Sequence, residues 1–594
     1  MNKSSAQRSD EFLKVSGQFK LGVLVTEASH PVTARLSETA QRDVAAALKL
    51  LFEADGDVVR KFREFVASGR AQAIKAVLLR TLANGGRIFF TGCGSTGRLS
   101  ILLDSVWRDY WRKAGSAGTA TDEHRTFSVM AGGDYALIKS VEGFEDFTAF
   151  GRQQMADLAV SGKDVVFAIT EGGETSFVIG TAWAGVEAGA KVYFVYNNPD
   201  DILCAHVERS REVINDPRIE KINLTTGPMS ITGSTRMQAT SIQLCVMLTI
   251  LELVVRELSG VSAADVPERF LAELEQLWAG LQAPDFLQSL AALVLLEETT
   301  YRRGRKSNYF AGRLGIDVLT DTTERSPTYC TPPFRKFDDD RATESWAYLF
   351  VPEDRTDQAW ESILKRQPRC VEWGLDTIRT LVPADTVERT REVVAKISSA
   401  ELMRYQIGGN GLRYRSLRGG DCAVAVMSAA EKPAAREFQL QQLAAARAGH
   451  ARTGLLYFGA EMPGALRTEA ELYAWVPVAQ SGWLLEGGTR VAVKLVMNAL
   501  STCTMVRLGR VMGNYMVWVV PSNLKLIDRA TRYISRLADL DYTAANRLLF
   551  EVIVYVEPRM KSDQAYPPVV RMAVLRAKEQ LTNEQAEERI RAEG

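Results

Sequence analysis

Residues 89–100 read FFTGCGSTGRLS, an apolar strand that runs into a glycine-rich turn and then into a helix. The turn holds three glycines at the spacing G-x-G-x-x-G, with two hydroxyl residues between the last two: Gly92, Gly94, Gly97, Ser95 and Thr96. A turn of this kind exposes backbone N–H groups, and the helix that follows adds partial positive charge, so an anion is stabilised there. The stretch therefore predicts a phosphate-binding loop, against the alternative of a tight turn without a ligand.

A dinucleotide is one ligand that this glycine spacing permits. That interpretation also requires an acidic residue about 20 positions further on, at the end of the second strand. Residues 112–118 read RKAGSAG and contain no carboxylate, and no Gly-Lys-Ser/Thr follows the loop as a P-loop would require. The pattern thus favours a smaller phosphorylated ligand, and we expect no cofactor.

Short apolar runs alternate with helical segments downstream of this loop. The first series comprises RIFFTG (87–92), FSVMAGG (127–133), DVVFAIT (164–170), KVYFVYNN (191–198) and INLTT (222–226). The second series comprises SNYFAG (307–312), CAVAVMS (422–428), TGLLYFG (453–459) and LYAWVPV (472–478). Such alternation predicts parallel sheets with helices on both faces, and hence an α/β fold with two doubly wound domains.

An internal repeat links the two series. GSTRM at 233–237 opens a long apolar helix and recurs as GGTRV at 487–491, which also opens one. Residues 33–82 have helical periodicity, and the chain after Pro521 is helical and increasingly charged. We therefore predict four segments: an N-terminal helical segment 1–70, α/β domains 71–260 and 261–520, and a C-terminal helical domain 521–594.

The composition disfavours several classes of partner and site. Lys plus Arg and Asp plus Glu number 72 each, so no global field attracts nucleic acid or an anionic membrane. The four histidines have no paired spacing, so we expect no metal. The seven cysteines form no C-x-x-C pair and the N-terminus lacks the apolar core of a signal peptide, which favours the cytoplasm. The apolar stretch 239–251 is shorter than the roughly 20 residues of a membrane span and predicts a buried helix.

Five motifs of the chain resemble those of a known family: TGCGSTGRLS (91–100), MAGGDYALIKSVEGFED (130–146), TGPMSITGSTRM (226–237), ALSTCTMVRLGRVMGNYMV (499–517) and SNLKLIDRA (522–530). In this order they look like N-acetylmuramic acid 6-phosphate etherases and their relative, the glucokinase regulatory protein. The resemblance implies sugar isomerase (SIS) domains, doubly wound α/β units that bind phosphorylated sugars. The etherase has one such domain and dimerises, whereas the regulatory protein carries two in one chain. We therefore expect two tandem SIS domains arranged as a pseudo-dimer.

The two copies divide the site residues that the resemblance implies. In the etherase pattern a Glu stands nine residues after the last glycine of the loop; here that position holds Val106 in the first copy and Glu324 in the second. The second copy's loop, 310–315, has Arg313 and Leu314 in place of the hydroxyls. If each site joins one domain's loop to the other domain's Glu, a fused pair keeps one composite site. Independent drift at the two positions is the alternative.

The resemblance also implies further site residues. The resemblance aligns Glu142 with the family's second Glu, which corresponds to the catalytic base of the etherase. An exposed carboxylate that caps a helix fits the sequence equally well. Lys525 matches a lysine that in the regulatory protein reaches the sugar phosphate, although a lysine is usually a surface charge. Arg236 either faces the site or packs beside it. The other substrate-binding candidates, besides the loop itself, are Thr170, Gly172, Thr175, Ser234 and Thr235.

Three functions follow from these observations. The first is a sensor of a sugar phosphate, such as a fructose phosphate, that regulates a sugar kinase; the two-domain length, Val106 and Gly172 favour it. The second is a lyase acting on an N-acetylmuramic acid 6-phosphate-like substrate, in which Glu142 removes the C2 proton and Glu324 protonates the departing lactyl ether oxygen. The same carboxylates could instead bind sugar hydroxyls without breaking a bond. The third, a nucleotide-binding oxidoreductase, rests on glycine spacing alone.

Overall fold

The computed structural model describes residues 3–16, 21–114, 122–141, 143–560 and 566–593. In this part of the chain, five helices precede the first strand: α1 Ser5–Val15, α2 Leu36–Arg42, α3 Val44–Ala54, α4 Gly56–Ala67 and α5 Arg70–Ala83. A capping box joins Ser4 and Gln7 at the start of α1, and the side chain of Asp43 caps α3. The apolar faces of α3, α4 and α5 are buried, as the helical periodicity of this region predicts.

The first sheet has five parallel strands in the order β2-β1-β3-β4-β5. Its strands are β1 Ile88–Gly92, β2 Thr126–Met130, β3 Val165–Ile169, β4 Lys191–Tyr196 and β5 Ile219–Asn223. The helices of this half are α6 Gly94–Ala114, α7 Thr148–Asp157, α8 Ser176–Glu187, α9 Asp200–His206, α10 Glu208–Asn215 and α11 Gln238–Leu258. Central strands β1 and β3 are buried along their whole length, which explains why their sequences are continuous apolar runs. The strand order reverses between β1 and β3, and ligands of such sheets bind at the carboxyl ends of the strands at this point.

The second sheet repeats this topology. Read from the other edge, its order is β7-β6-β8-β9-β10, with β6 Ser307–Ala311, β7 Ala347–Phe350, β8 Cys422–Ser428, β9 Arg452–Gly459 and β10 Leu472–Pro477. The helices of this half are α12 Val266–Gly280, α13 Pro284–Arg302, α14 Gly315–Tyr329, α15 Thr356–Leu364, α16 Leu375–Leu381, α17 Val387–Ala395, α18 Ser399–Leu402, α19 Pro433–Ala448 and α20 Gly487–Arg507. The α/β class with two doubly wound sheets is thus confirmed. The second series of apolar runs missed β7, a four-residue strand within a charged segment.

The two halves meet along paired helices. Helices α6 and α14, which follow the first strand of each half, pack against each other, and so do α11 and α20. The Oγ of Ser105 on α6 donates a hydrogen bond to the carbonyl of Ile363 in the second half at 2.7 Å. By length and composition, helix α11 and the bent pair α12–α13 could each span a membrane, and the apolar window of α11 is entirely buried inside the protein.

The C-terminal region is a short hairpin followed by helices. Its elements are β11 Val511–Met512, β12 Tyr515–Met516, α21 Leu524–Ala538, α22 Tyr542–Val556, α23 Val569–Glu579 and α24 Asn583–Glu593. The side chain of Asn523 caps α21 by accepting the backbone N–H of Leu526. Glu27, near the N-terminus, forms ion pairs with Arg529 and Arg532 of α21. The first and last parts of the chain therefore pack together beside the crevice of the first sheet.

Candidate functional site

The loop after β1 is built around its glycines. Gly94 has a φ of +54°, a left-handed conformation that favours glycine. A Cβ on Gly92 would overlap the backbone of Thr96, and one on Gly97 would overlap the side chain of Met130. Glycine at these positions lets the first turn of α6 approach the end of the strand closely.

The two hydroxyls of the loop have different surroundings. The Oγ1 of Thr96 donates to the carbonyl of Cys93 at 2.9 Å and accepts the N–H of Cys93 at 3.1 Å, and the residue is fully buried. Its one O–H donor is therefore used within the turn. The Oγ of Ser95 points out of the loop and donates to Oε1 of Glu324 at 2.8 Å.

Glu324 stands on α14 of the second half and meets the first half through two side chains. Besides the bond from Ser95, its Oε2 lies 2.6 Å from Nη1 of Arg98, which is only 2% exposed. The guanidinium of Arg98 also donates to Thr323 at 3.3 Å and to the carbonyl of Leu137 at 3.3 Å. Arg98, which sequence reasoning did not select, thus fixes the position of the glutamate against the loop.

A cavity of about 920 Å³ opens at the crevice of the first sheet. Eight of the predicted site residues line it: Gly94, Ser95, Gly172, Thr175, Ser234, Thr235, Glu324 and Lys525. Four lie behind the wall: Gly92, Thr96, Gly97 and Thr170. Glu142 lies outside the described residues. The cavity wall thus takes residues from both α/β halves, from α21 and from the segment around Glu27.

The loop after β3, TEGGETS at 170–176, forms the second rim of the cavity. The Oγ1 of Thr170 lies 3.1 Å from that of Thr175 and accepts the N–H of Gly173 at 3.3 Å. The carbonyl of Gly172 accepts a hydrogen bond from Asn198 at 2.9 Å. These bonds within and behind the loop fix its path, so that residues 171, 172, 174 and 175 border the cavity.

Glu171 is a candidate functional residue that sequence reasoning missed. It borders the cavity and is 8% exposed. Burial raises the pKa of Glu171 to about 7, and the nearby carboxylates of Glu324 and Glu174 act in the same direction, against a hydrogen bond from Thr235. At neutral pH this group therefore exchanges a proton readily. The two glutamates of the loop were the available signal, because a charged side chain next to a buried strand end needs a reason to be there.

Lys525 and Glu174 form an ion pair at the cavity wall. The Nζ of Lys525 lies 2.5 Å from Oε1 of Glu174, whose side chain is 6% exposed. Burial alone would lower the pKa of Lys525, but Glu174 and Glu145 outweigh it and raise the pKa above its usual value. Lys525 is therefore charged and faces the cavity, although its charge is already met by a carboxylate of the protein.

Asp146 and Arg236 are two further charged residues of the cavity wall. Burial and the neighbouring Glu145 raise the pKa of Asp146, and both carboxylates line the cavity. Arg236 donates to Asp321 at 2.6 Å, to Ser501 at 2.8 Å and to Asn498. The guanidinium of Arg236 thus ties the halves together, and the residue also lines the cavity, so it both packs beside the site and borders it.

The corresponding loop of the second half is filled by its own side chain. Arg313 pairs with Glu486 at 2.6 Å and with Asp109 of the first half at 3.0 Å, and its side chain is 12% exposed. Its backbone N–H donates to Glu431 at 2.9 Å. The guanidinium thus occupies the turn where the first half presents Ser95. Nowhere in the described chain do three or more His, Cys, Asp or Glu side chains form a group that could hold a metal ion.

Comparisons with known proteins agree with this architecture. The family model described as the glucokinase regulatory protein N-terminal SIS domain matches residues 70–184. The N-acetylmuramic acid 6-phosphate etherase of Clostridioides difficile is 30% identical over 233 residues, which are 39% of this chain and 69% of that protein. The etherase of Thermosynechococcus vestitus is 28% identical over 284 residues, 47% of this chain and 84% of that protein. The etherase of a Synechococcus species is 34% identical over 221 residues, 37% of this chain and 61% of that protein.

Two solved structures match this chain with low TM-scores and low sequence identity. The C-terminal domain of glucosamine-fructose-6-phosphate aminotransferase from Francisella tularensis matches with a TM-score of 0.42 and 12% identity, over 77% of this chain and 94% of that one. The tagatose-6-phosphate ketose/aldose isomerase from Escherichia coli matches with a TM-score of 0.40 and 10% identity, over 80% of this chain and 95% of that one.

Proposed function

Because the chain belongs to the family of N-acetylmuramic acid 6-phosphate etherases and glucokinase regulatory proteins, we propose that it is a regulator that senses a phosphorylated sugar. The ligand occupies the cavity at the crevice of the first sheet, between the loops after β1 and β3, with Glu324 of the second half completing the site. One contact carries this proposal: Ser95 Oγ of the first half donates to Glu324 Oε1 of the second at 2.8 Å on the cavity wall.

The surroundings of Glu324 favour binding over bond cleavage. A general acid has to carry a proton and release it to the leaving group. Oε1 of Glu324 instead accepts a hydrogen bond from the hydroxyl of Ser95, and Oε2 forms an ion pair with the guanidinium of Arg98. A carboxylate held in this way is suited to accept hydrogen bonds from sugar hydroxyls, with Ser95 released to the phosphate.

An etherase-like lyase is the second candidate, and Glu171 is the observation that favours it. In the form that the sequence predicts, Glu142 is the base and Glu324 the acid. A carboxyl whose pKa is about 7, such as Glu171, can hold a proton at neutral pH and deliver it. The similarity to etherases is compatible with either candidate, because a regulator and a lyase of this family both need a site for a phosphorylated sugar.

The ligand that we propose is a fructose phosphate or an N-acetylmuramic acid 6-phosphate, and a regulator of this kind acts in the cytoplasm on a sugar kinase. Titration calorimetry of the full chain with fructose 6-phosphate, fructose 1-phosphate and N-acetylmuramic acid 6-phosphate tests the ligand class. Unphosphorylated fructose and NAD serve as negative controls. Saturable binding of a phosphorylated sugar without binding of NAD is the expected result, and binding of NAD alone would contradict the proposal.

A product assay separates the two candidates. Protein incubated with N-acetylmuramic acid 6-phosphate releases D-lactate only if it is a lyase, so binding without lactate is the result expected of a regulator. Ser95→Ala should weaken sugar-phosphate binding, whereas Ser140→Ala, which makes the same change elsewhere on the cavity wall, should have a smaller effect. Equal effects of the two substitutions would count against the contact between Ser95 and Glu324 as the core of the site.

A further inference from the structure

A carboxylate of the protein covers two of the positions at which a sugar phosphate is expected. Oε1 of Glu174 lies 2.5 Å from Nζ of Lys525, and Oε2 lies over Gly172, where an added Cβ would overlap it. The side chain of Glu174 is therefore folded back over its own loop, into the space between that loop and α21.

The charge of Glu174 matters because most of the other cations that line the cavity are also paired. Arg529 pairs with Glu27 at 2.5 Å, Arg335 with Glu344 at 3.3 Å and Arg236 with Asp321 at 2.6 Å, although Nη1 of Arg236 has no hydrogen-bond partner. Lys139 and Arg389, which also line the cavity, are exposed to solvent. A phosphate that enters the cavity can therefore pair directly with the ammonium of Lys525 only if it takes the place of Glu174.

We infer that Glu174 is a specificity-determining residue, whose carboxylate occupies the phosphate position on Lys525 and has to be displaced by the ligand. This inference rests on the proposed function, because it takes the cavity to be the sugar-phosphate site. Two anions that share one ammonium repel each other, so the ligand and Glu174 compete for Lys525.

The competition selects for the charge of the ligand. A singly charged group, such as a sugar carboxylate or a sulfate ester, gains no more from Lys525 than Glu174 already does. A phosphate monoester carries about −1.5 to −2 at neutral pH and therefore gains more from the ammonium than it loses by moving one carboxylate. The site should thus prefer phosphate monoesters over singly charged anions of the same sugar.

Glu174→Gln tests the inference. The ligand no longer has to replace a charge-assisted hydrogen bond, so fructose 6-phosphate should bind roughly tenfold more tightly. The difference in affinity between fructose 6-phosphate and fructose 6-sulfate should become smaller at the same time. Glu145→Gln is the matched control: it removes a negative charge from the same wall without releasing Lys525 from its partner, and should tighten binding by less than about threefold.

Several outcomes would overturn the inference. Weaker or unchanged binding of fructose 6-phosphate by Glu174→Gln would mean that the carboxylate positions Lys525 or binds the ligand itself, and an equal gain in Glu145→Gln would mean that only the net charge matters. If Glu174→Gln fails to fold, Glu174→Asp, which keeps the charge but withdraws it by one methylene, should give a smaller gain of the same sign.

Inorganic phosphate distinguishes this inference from the proposed function. It should raise the thermal stability of Glu174→Gln at lower concentration than that of the wild type. Tighter binding of inorganic phosphate without binding of any sugar phosphate would leave the inference standing and refute the proposed function. If sugar phosphates bind, but neither they nor inorganic phosphate bind differently to wild type and Glu174→Gln, the proposed function stands and the inference is refuted.

Discussion

Neutralising Glu171 should change how the stability of the protein depends on pH. The pKa of Glu171 rises from an ordinary 4.5 to about 7 on folding, chiefly through burial, so the folded protein holds this proton more tightly than the unfolded chain. Its contribution to stability is therefore fully present below pH 4.5 and is lost as the pH rises through 7. The linkage relation gives about 3 kcal/mol for the whole loss. Glutamine has no proton to lose, so Glu171→Gln should avoid the loss.

Urea unfolding of wild type and Glu171→Gln at pH 5, 6, 7 and 8 measures this effect. The readout is the difference between the two proteins, because Asp55, whose pKa burial also raises to about 7, titrates in the same range in both. The variant should gain stability relative to the wild type as the pH rises, by an amount that approaches 3 kcal/mol at pH 8. A difference that stays constant from pH 5 to pH 8 would refute the placement of Glu171 in a buried, acidic environment.

Glu174→Gln is the matched control for this experiment. Burial acts to raise the pKa of Glu174, but Lys525 outweighs burial and the pKa is lowered. The sign is therefore opposite: the contribution of Glu174 is present above its unfolded pKa and is lost as the pH falls through its folded pKa. Neutralising Glu174, three residues from Glu171 on the same loop, should destabilise the protein at neutral pH, whereas neutralising Glu171 should not.

Three further predictions concern the contacts between the halves and the loop. Arg98→Met leaves Glu324 without its cation and should lower the free energy of unfolding by about 3–5 kcal/mol in urea, and a second change, Glu324→Gln, should restore part of it. Because Arg313 fills the second loop, calorimetry should find one sugar phosphate per chain, and a stoichiometry of two would contradict this interpretation. The Cβ added by Gly92→Ala would overlap backbone atoms, so this change should lower the melting temperature more than Gly94→Ala does. The Cβ added by Gly94→Ala has open space around it, and that change costs about 1 kcal/mol in backbone strain. The reverse order in a thermal melt would be evidence against the turn geometry.

Much of the fold was predictable because it rests on local patterns. Continuous apolar runs identify strands that are buried on both faces, and the spacing of the runs implies crossover helices, hence a parallel sheet. The strand β7 (Ala347–Phe350) escaped this reasoning because four apolar residues within a charged segment carry too weak a pattern. The turn-shaping bond of Thr96 was also missed, although a threonine often bonds the backbone three residues earlier, here at Cys93.

The candidate site was less predictable because its contacts are remote in sequence. Ser95 and Glu324 are 229 positions apart, and only the resemblance to a known family suggested that they could meet. No periodicity indicates that Glu174 turns back over its loop toward Lys525, 351 positions away. The pKa of Glu171 likewise depends on burial and on neighbours from other elements, neither of which the loop sequence contains.

The two loops of the repeat illustrate how a nearly symmetric fold comes to hold an asymmetric site. The seam between α6 and α14 has a polar contact at each end: Ser95 with Glu324 at the open cavity, and Arg313 with Asp109 at the filled loop. Arg313 brings its positive charge covalently and pairs it with two carboxylates, so side chains of the protein already occupy that end. The other end pairs a hydroxyl with a carboxylate, a contact that a phosphorylated sugar can replace. A ligand in the cavity would therefore meet one end of the seam, whereas the other end is already paired within the protein.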